Sequence, residues 1–143
     1  MINEPACPIL LVEDDERLAL MIRDFLTPEG FDVTVEGRGD AAVTKILNDA
    51  PEAVILDVNL PGMDGISVCR AVRSAYSGPI LILTARGDEV DEIICLEVGA
   101  DDFMAKPVRP RVLLARLRAH LRKSVVTESL LPQKMQVGPL LID

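Results

Sequence analysis

The sequence predicts a doubly wound α/β domain: a five-stranded parallel sheet with helices on both faces. Three observations carry this. Short strand-like runs recur along the 143 residues. Between them lie segments whose apolar residues return at helical spacing. The runs end in polar residues, among them Glu13-Asp14-Asp15, Asp57, Thr84 and Lys106, at the rim where open parallel sheets bind ligands. Strands that alternate with helices pair in parallel through right-handed crossovers.

The elements follow in order. "PILLVE" (8–13) is a continuous apolar run, expected of a strand covered on both faces. Leu18, Met21, Ile22, Phe25 and Leu26 then share one helical stripe, with Gly30 as a stop. "FDVTVE" (31–36) alternates as a second strand, and Ala42, Val43, Ile46 and Leu47 mark a second helix. "AVILD" (53–57) is the third strand, followed by a helix carrying Ile66, Cys69, Val72 and Arg73. "PILILT" (79–84) is the fourth, with Val90, Ile93, Ile94 and Glu97 on its helix. "DFMAK" (102–106) is a short fifth strand, and Leu113, Leu114, Leu117 and Leu121 stripe the last helix. From Ser124 the pattern stops, and "SVVTESLLPQK" reads as a linker. The closing "MQVGPLLID" reads equally well as a short strand or a frayed terminus.

Composition narrows the function. A net charge of -8 argues against gripping nucleic acid or an anionic membrane through the overall field. One Tyr, three Phe and no Trp leave little for base stacking. Three cysteines, Cys7, Cys69 and Cys95, lack C-x-x-C spacing and read as free thiols in a reducing compartment. No segment approaches the ~20 apolar residues of a membrane span, and the short N-terminal apolar run lacks the basic flank of a signal peptide. A cytoplasmic protein with no membrane partner is expected.

The rim residues define the chemistry. Glu13, Asp14 and Asp57 drawn together repel one another until a cation intervenes. Mg2+ suits them, because it accepts few carboxylates and keeps several waters. Beside it an ionised Asp57 is a nucleophile toward phosphorus. Lys106 supplies positive charge and Thr84 a hydroxyl donor, which is what phosphoryl transfer asks of a protein. Each residue taken singly also has a plainer reading. "DDER" resembles a helix start capped by Asp14 or Asp15, Lys106 a solvated lysine, and Thr84 an ordinary strand residue. Asp57 has no cap or turn that calls for an acid.

With "LLVEDDERL", "VILDVNLPGMDG", "ILILTAR" and "GADDFMAKPV" in this order, residues 8 to 123 closely resemble the receiver domain of two-component response regulators. The resemblance implies a flavodoxin-like (βα)5 fold with strand order 2-1-3-4-5. It also implies that Asp57 is the phosphoacceptor for a sensor histidine kinase. Asp14 would ligate Mg2+ directly, Glu13 through water, and Asn59 by its backbone carbonyl. Thr84 and Lys106 match the phosphoryl-sensing positions, Phe103 the aromatic switch position, and the Lys106–Pro107 bond is cis in that family. Such a domain is not an enzyme acting on an external substrate, although it assists its own phosphorylation and slow dephosphorylation.

Charge separates near the end of this region. Residues 88–102 hold seven acids and no base, and residues 103–123 seven bases and no acid. The two helices concerned either pair internally, face solvent, or meet across a two-fold axis. Receivers of the OmpR/PhoB class dimerise through helix 4, strand 5 and helix 5, and Asp101, Asp102, Arg116 and Arg118 match their pairing positions. Glu92 and Val112 depart from that pattern. The same likeness divides the chain into a receiver (1–123), a linker (124–134) and the start of a truncated winged-helix domain (135–143), through which promoter DNA would be bound. His120 reads as a half-exposed surface residue.

Two other classes compete. A phosphohydrolase of the haloacid-dehalogenase type needs a second acid two residues after its nucleophile, where this chain has Asn59. A flavin-binding module needs a phosphate loop after the first strand, which "EDDER" does not resemble.

Overall fold

A computed structural model describes residues 5–85 and 89–134, without the side chains of 89–91 and 123–134. Strands β1 (Cys7–Val12), β2 (Phe31–Glu36), β3 (Ala53–Asp57), β4 (Ile80–Thr84) and β5 (Asp102–Ala105) alternate with helices α1 (Glu16–Leu26), α2 (Gly39–Asp49), α3 (Gly65–Val72), α4 (Glu89–Glu97) and α5 (Pro110–Lys134). The sheet is parallel throughout, in the order β2-β1-β3-β4-β5. The expected flavodoxin-like fold is therefore the one observed.

The period of two along each strand divides the core. Leu10, Val12, Val54, Leu56, Ile80 and Ile82 face α2, α3 and α4, where they meet Ala42, Ile46, Val68, Val72 and Cys95. Their neighbours Ile9, Leu11, Ile55, Leu81 and Leu83 face α1 and α5, against Ala19, Ile22, Leu26, Leu113 and Leu117. Central β3 and β4 are buried at every position, which is why they read as unbroken apolar runs, whereas edge strand β2 alternates. Register aligns the carboxyl ends: Val12 lies beside Leu56, Asp57 beside Leu83, and Thr84 beside Ala105.

Several expectations from periodicity need correction. Met21 and Leu47 lie on the outer flanks of their stripes and are exposed. On α4 the predicted stripe is turned away from the core: Ile93, Ile94 and Glu97 are exposed, as is Leu96, while Cys95 is fully buried and Val98 packs beneath it. The Val90 side chain lies outside the described residues. Apolar side chains on both sides of a nine-residue helix leave its rotation undetermined, and the small Cys95 fits closest to the sheet. The last helix continues through 124–134, beyond the predicted end of the pattern. Once nucleated, a helix extends at little cost per residue. Residues 135–143, and with them the expected terminal strand, lie outside the described residues.

Candidate functional site

Three acids meet at the carboxyl rim of the sheet. Glu13 follows β1 and Asp57 ends β3, and each is 2% exposed; Asp14, next to Glu13, is exposed. A carboxylate oxygen from each lies within 4.8 Å of the others. Asp15 is not part of this group. It caps α1, its Oδ1 accepting the N–H groups of Arg17 at 3.0 Å and Leu18 at 3.2 Å. The sequence left capping open between Asp14 and Asp15, and the structure gives that task to Asp15, leaving Asp14 facing the rim.

Lys106 closes the site from β5. Its Nζ donates to Glu13 Oε1 at 3.0 Å and stands 3.3 Å from Asp57 Oδ1. The second contact is an ion pair without hydrogen-bond alignment, so Asp57 Oδ1 is buried with no hydrogen-bond partner. Glu13 is the better satisfied acid, its Oε2 accepting the Asp15 N–H at 3.0 Å. The Lys106–Pro107 bond is cis, as expected from the resemblance, and the Lys106 N–H donates to the Thr84 carbonyl at 2.7 Å. Thr84 is buried at the end of β4. Phe103 is half-buried on β5 and packs against the α2–α3–α4 side of the core. Asn59 is exposed two residues past Asp57.

Electrostatics describe a site that lacks positive charge. Burial pushes the Asp57 carboxyl above its ordinary value, against the pull of Lys106 and of the Val58 and Asn59 N–H groups. Burial likewise raises Glu13, with repulsion from Asp57 adding to it. Burial alone would lower Lys106, but its hydrogen bond to Glu13 and the charge of Asp57 prevail and raise it. One ammonium therefore does not balance two buried carboxylates. The orphaned Asp57 oxygen and the all-oxygen donor set fit a hard divalent cation such as Mg2+.

A pH dependence follows. A carboxyl with a raised folded pKa lends stability below its unfolded value, and that share is lost as pH rises through the folded value. Cation ligands must be deprotonated. Stabilisation by Mg2+ should thus grow from about pH 4 upward through the raised values, reaching about 2.7 kcal/mol at a hundred times the dissociation constant. Urea unfolding with Mg2+ or with EDTA across this range checks it. A pH-independent Mg2+ effect would contradict the assignment.

The residues expected at an interface all have partners within the chain. Asp101 Oδ2 pairs with Arg73 at 3.2 Å and accepts the Ile80 N–H at 2.8 Å. Asp102 takes Arg116 on Oδ1 at 2.9 Å and His120 on Oδ2 at 3.0 Å. Arg118 pairs with Glu29 at 2.9 Å. Half-exposed His120, as predicted, thus also has a specific partner. The Arg73 contact was not foreseen. Its guanidinium also donates to the carbonyls of Tyr76, Gly78 and Gly99, tying the end of α3 to the loops before β4 and β5.

Fold and rim together define the receiver class of doubly wound domain. The profile of the response regulator receiver domain matches residues 9–118, and the chain belongs to that family. It is 43% identical over 144 residues to the transcriptional regulatory protein RstA of Escherichia coli, covering 94% of this chain and 60% of the relative. Against the DNA-binding response regulator MtrA of Mycolicibacterium smegmatis it is 44% identical over 135 residues, covering 94% and 58%. The BeF3-activated receiver domain of Klebsiella pneumoniae RstA superposes with a TM-score of 0.77 at 44% identity, covering 80% of this chain and 98% of that one. The resemblance to the OmpR/PhoB class, and to RstA-type regulators within it, agrees with these matches. The chain spans about 60% of the length of the curated relatives just described.

Proposed function

We propose that this chain is a phosphorylation-dependent switch that receives a phosphoryl group on Asp57 from a sensor histidine kinase. The observation that carries the reading is the buried Asp57, one oxygen without a hydrogen-bond partner, facing Lys106 and grouped with Glu13 and Asp14. Asp14, Asp57 and the Asn59 carbonyl would hold Mg2+, with Glu13 acting through water. When bound, the cation offsets the charge of the carboxylates and of the transferring phosphoryl oxygens. An Asp57 oxygen forms a bond to phosphorus as the bond from phosphorus to the donor breaks, and the donor leaves with that electron pair. Lys106 would pair with one phosphoryl oxygen, and the Thr84 hydroxyl would donate to another. The shift of Thr84 opens space beside Phe103, whose inward state rests on packing alone since it has no hydroxyl.

Output would pass through α4, β5 and α5. Exposed Ile93, Ile94 and Leu96 supply apolar area for a homodimer, and Asp102 would exchange or share Arg116 across the axis. Dimerisation would in turn control promoter binding by a winged-helix domain beyond the segment 124–134, in the cytoplasm. The names of the relatives, a transcriptional regulator and a DNA-binding response regulator, support this output.

Incubation with Mg2+ and a small acyl phosphate tests the proposal. Intact mass should rise by one phosphoryl group, chelation of Mg2+ should abolish the gain, and the elution volume should shift toward a dimer. Catalytic turnover of a phosphate ester without a stable adduct would favour the phosphohydrolase reading instead. A further prediction concerns Asn59, exposed two residues past Asp57, whose amide would orient a hydrolytic water. Asn59→Met should slow loss of the phosphoryl group severalfold, followed as decay of the phosphorylated mass; an unchanged lifetime would remove Asn59 from that role.

A further inference from the structure

The loop between β2 and α2 supplies no carboxylate to the acid group, yet it touches both the Glu13-Asp14 segment and the loop that follows Asp57. On one side the Glu13 N–H donates to the Glu36 carbonyl at 3.0 Å, and Gly37 packs beside the Asp14 backbone. Glu36 in turn fixes the loop: its Oε2 accepts the Arg38 N–H at 3.0 Å and its Oε1 pairs with Lys45 at 2.8 Å. On the other side the Gly39 N–H donates to the Pro61 carbonyl at 3.0 Å. Gly39 lies so close to this second loop that a Cβ there would collide with the Met63 carbonyl.

Arg38 and Asp40 complete the contact. The guanidinium grips the carboxylate with two parallel bonds, Nε to Oδ1 and Nη2 to Oδ2, both 3.0 Å. Oδ1 also accepts the Ala41 N–H at 2.9 Å, which anchors the carboxylate to the first turn of α2. The backbone of Gly62, at φ +84, rests directly on this flat pair: a Cβ there would strike Asp40 Oδ1 and lie 2.8 Å from Arg38 Nη2. The 59–63 loop is therefore supported from beneath by a planar ion pair and pinned at Pro61 by a backbone bond.

We infer that Arg38 and Asp40 are positioning residues for the cation site, holding the loop that presents Asn59 at a fixed distance from Glu13 and Asp14. This rests on the Mg2+ reading proposed above. An exposed ion pair adds little to global stability, but the planar fork sets geometry as well as charge. Its loss should be felt where a hard cation with strict octahedral demands meets the loop.

The experiment compares Mg2+ affinity by calorimetry, and the melting temperature in EDTA, for wild type, Arg38→Ala, Asp40→Ala and the double variant, with Asp14→Asn as a control. Each single variant should bind Mg2+ about three- to tenfold more weakly, at or below the effect of outer-shell partners at buried metal sites. The double variant should be no weaker than the singles, because the two side chains act as one unit. Melting in EDTA should move by no more than a few degrees. Wild-type affinity in both single variants would overturn the inference, and so would effects that multiply in the double variant. A wild type without Mg2+ affinity, or an Asp14→Asn variant that binds as well as wild type, would instead overturn the cation site itself and the inference with it.

Discussion

Asp57→Asn should abolish phosphoryl uptake and, in the metal-free chain, raise stability rather than lower it. The two effects share a cause. Asp57 is 2% exposed, its Oδ1 has no hydrogen-bond partner, and burial raises its carboxyl above the ordinary value. Burial therefore disfavours the charged carboxylate at this position, and a neutral group costs less there. The amide removes that charge and its repulsion of Glu13. A gain of about 1–2 kcal/mol is expected, the scale of one unsatisfied buried polar group, and it should shrink toward acid pH as Asp57 takes up its proton. Mg2+ should then stabilise the variant less than wild type. Urea midpoints in EDTA measure the gain, and intact mass after exposure to an acyl phosphate measures the loss. A variant less stable than wild type at neutral pH would mean that the ion pair with Lys106 outweighs the burial of Asp57.

Lys106→Ala should have the larger effect on stability, with the opposite sign. Lys106 is the one cation found against Glu13 and Asp57 among the described residues, at 3.0 and 3.3 Å. Removing it leaves two buried carboxylates facing each other. Because the lysine keeps some contact with solvent, the expected cost at neutral pH is about 2–3 kcal/mol, below that of a fully buried broken pair. Its raised pKa means that its contribution is present below its ordinary value of 10.5 and is lost as pH climbs through the higher folded value. On the acid side the contribution fades as Glu13 and Asp57 protonate. The gap between wild type and variant should therefore form a plateau between these limits, and Mg2+ should narrow it by supplying the missing charge. Denaturation across pH, with and without Mg2+, gives this profile directly. A gap that persists in acid would assign Lys106 a packing role instead.

Both predictions concern residues that were visible in the sequence, and the reason is specific. Each stands at the end of a strand-like run, where a polar residue interrupts an apolar pattern. Asp57 was the clearest, because four apolar residues precede it and no cap or turn explains an acid there. Lys106 was legible only in company, since one lysine after a short strand is otherwise unremarkable. Asp14 and Asp15 were not separable in the sequence: both can cap a helix, and the choice depends on which carboxylate reaches the Arg17 and Leu18 N–H groups.

Other features left little trace. Ile93, Ile94 and Leu96 all read as core candidates or their neighbours, yet α4 is rotated to bury Cys95. The acid of Asp101 was assigned to a possible partner chain, while Arg73, 28 residues earlier, occupies it within the fold. Nothing in the sequence marks Arg38 and Asp40 as the pair against which Gly62 packs.

The sequence by itself determined the alternation of strands and helices, the two-sided burial of β3 and β4, and the acids, hydroxyl and amine at their ends. These depend on period and on local polarity, which neighbouring residues carry. Only the tertiary structure decided the rotation of α4, the partners of Asp101 and Asp102, the orphaned oxygen of Asp57 and the support beneath the 59–63 loop. Such features depend on how elements distant in sequence dock, because a helix stripe defines a face without stating its partner, and an ion pair forms only where packing brings two charges within reach.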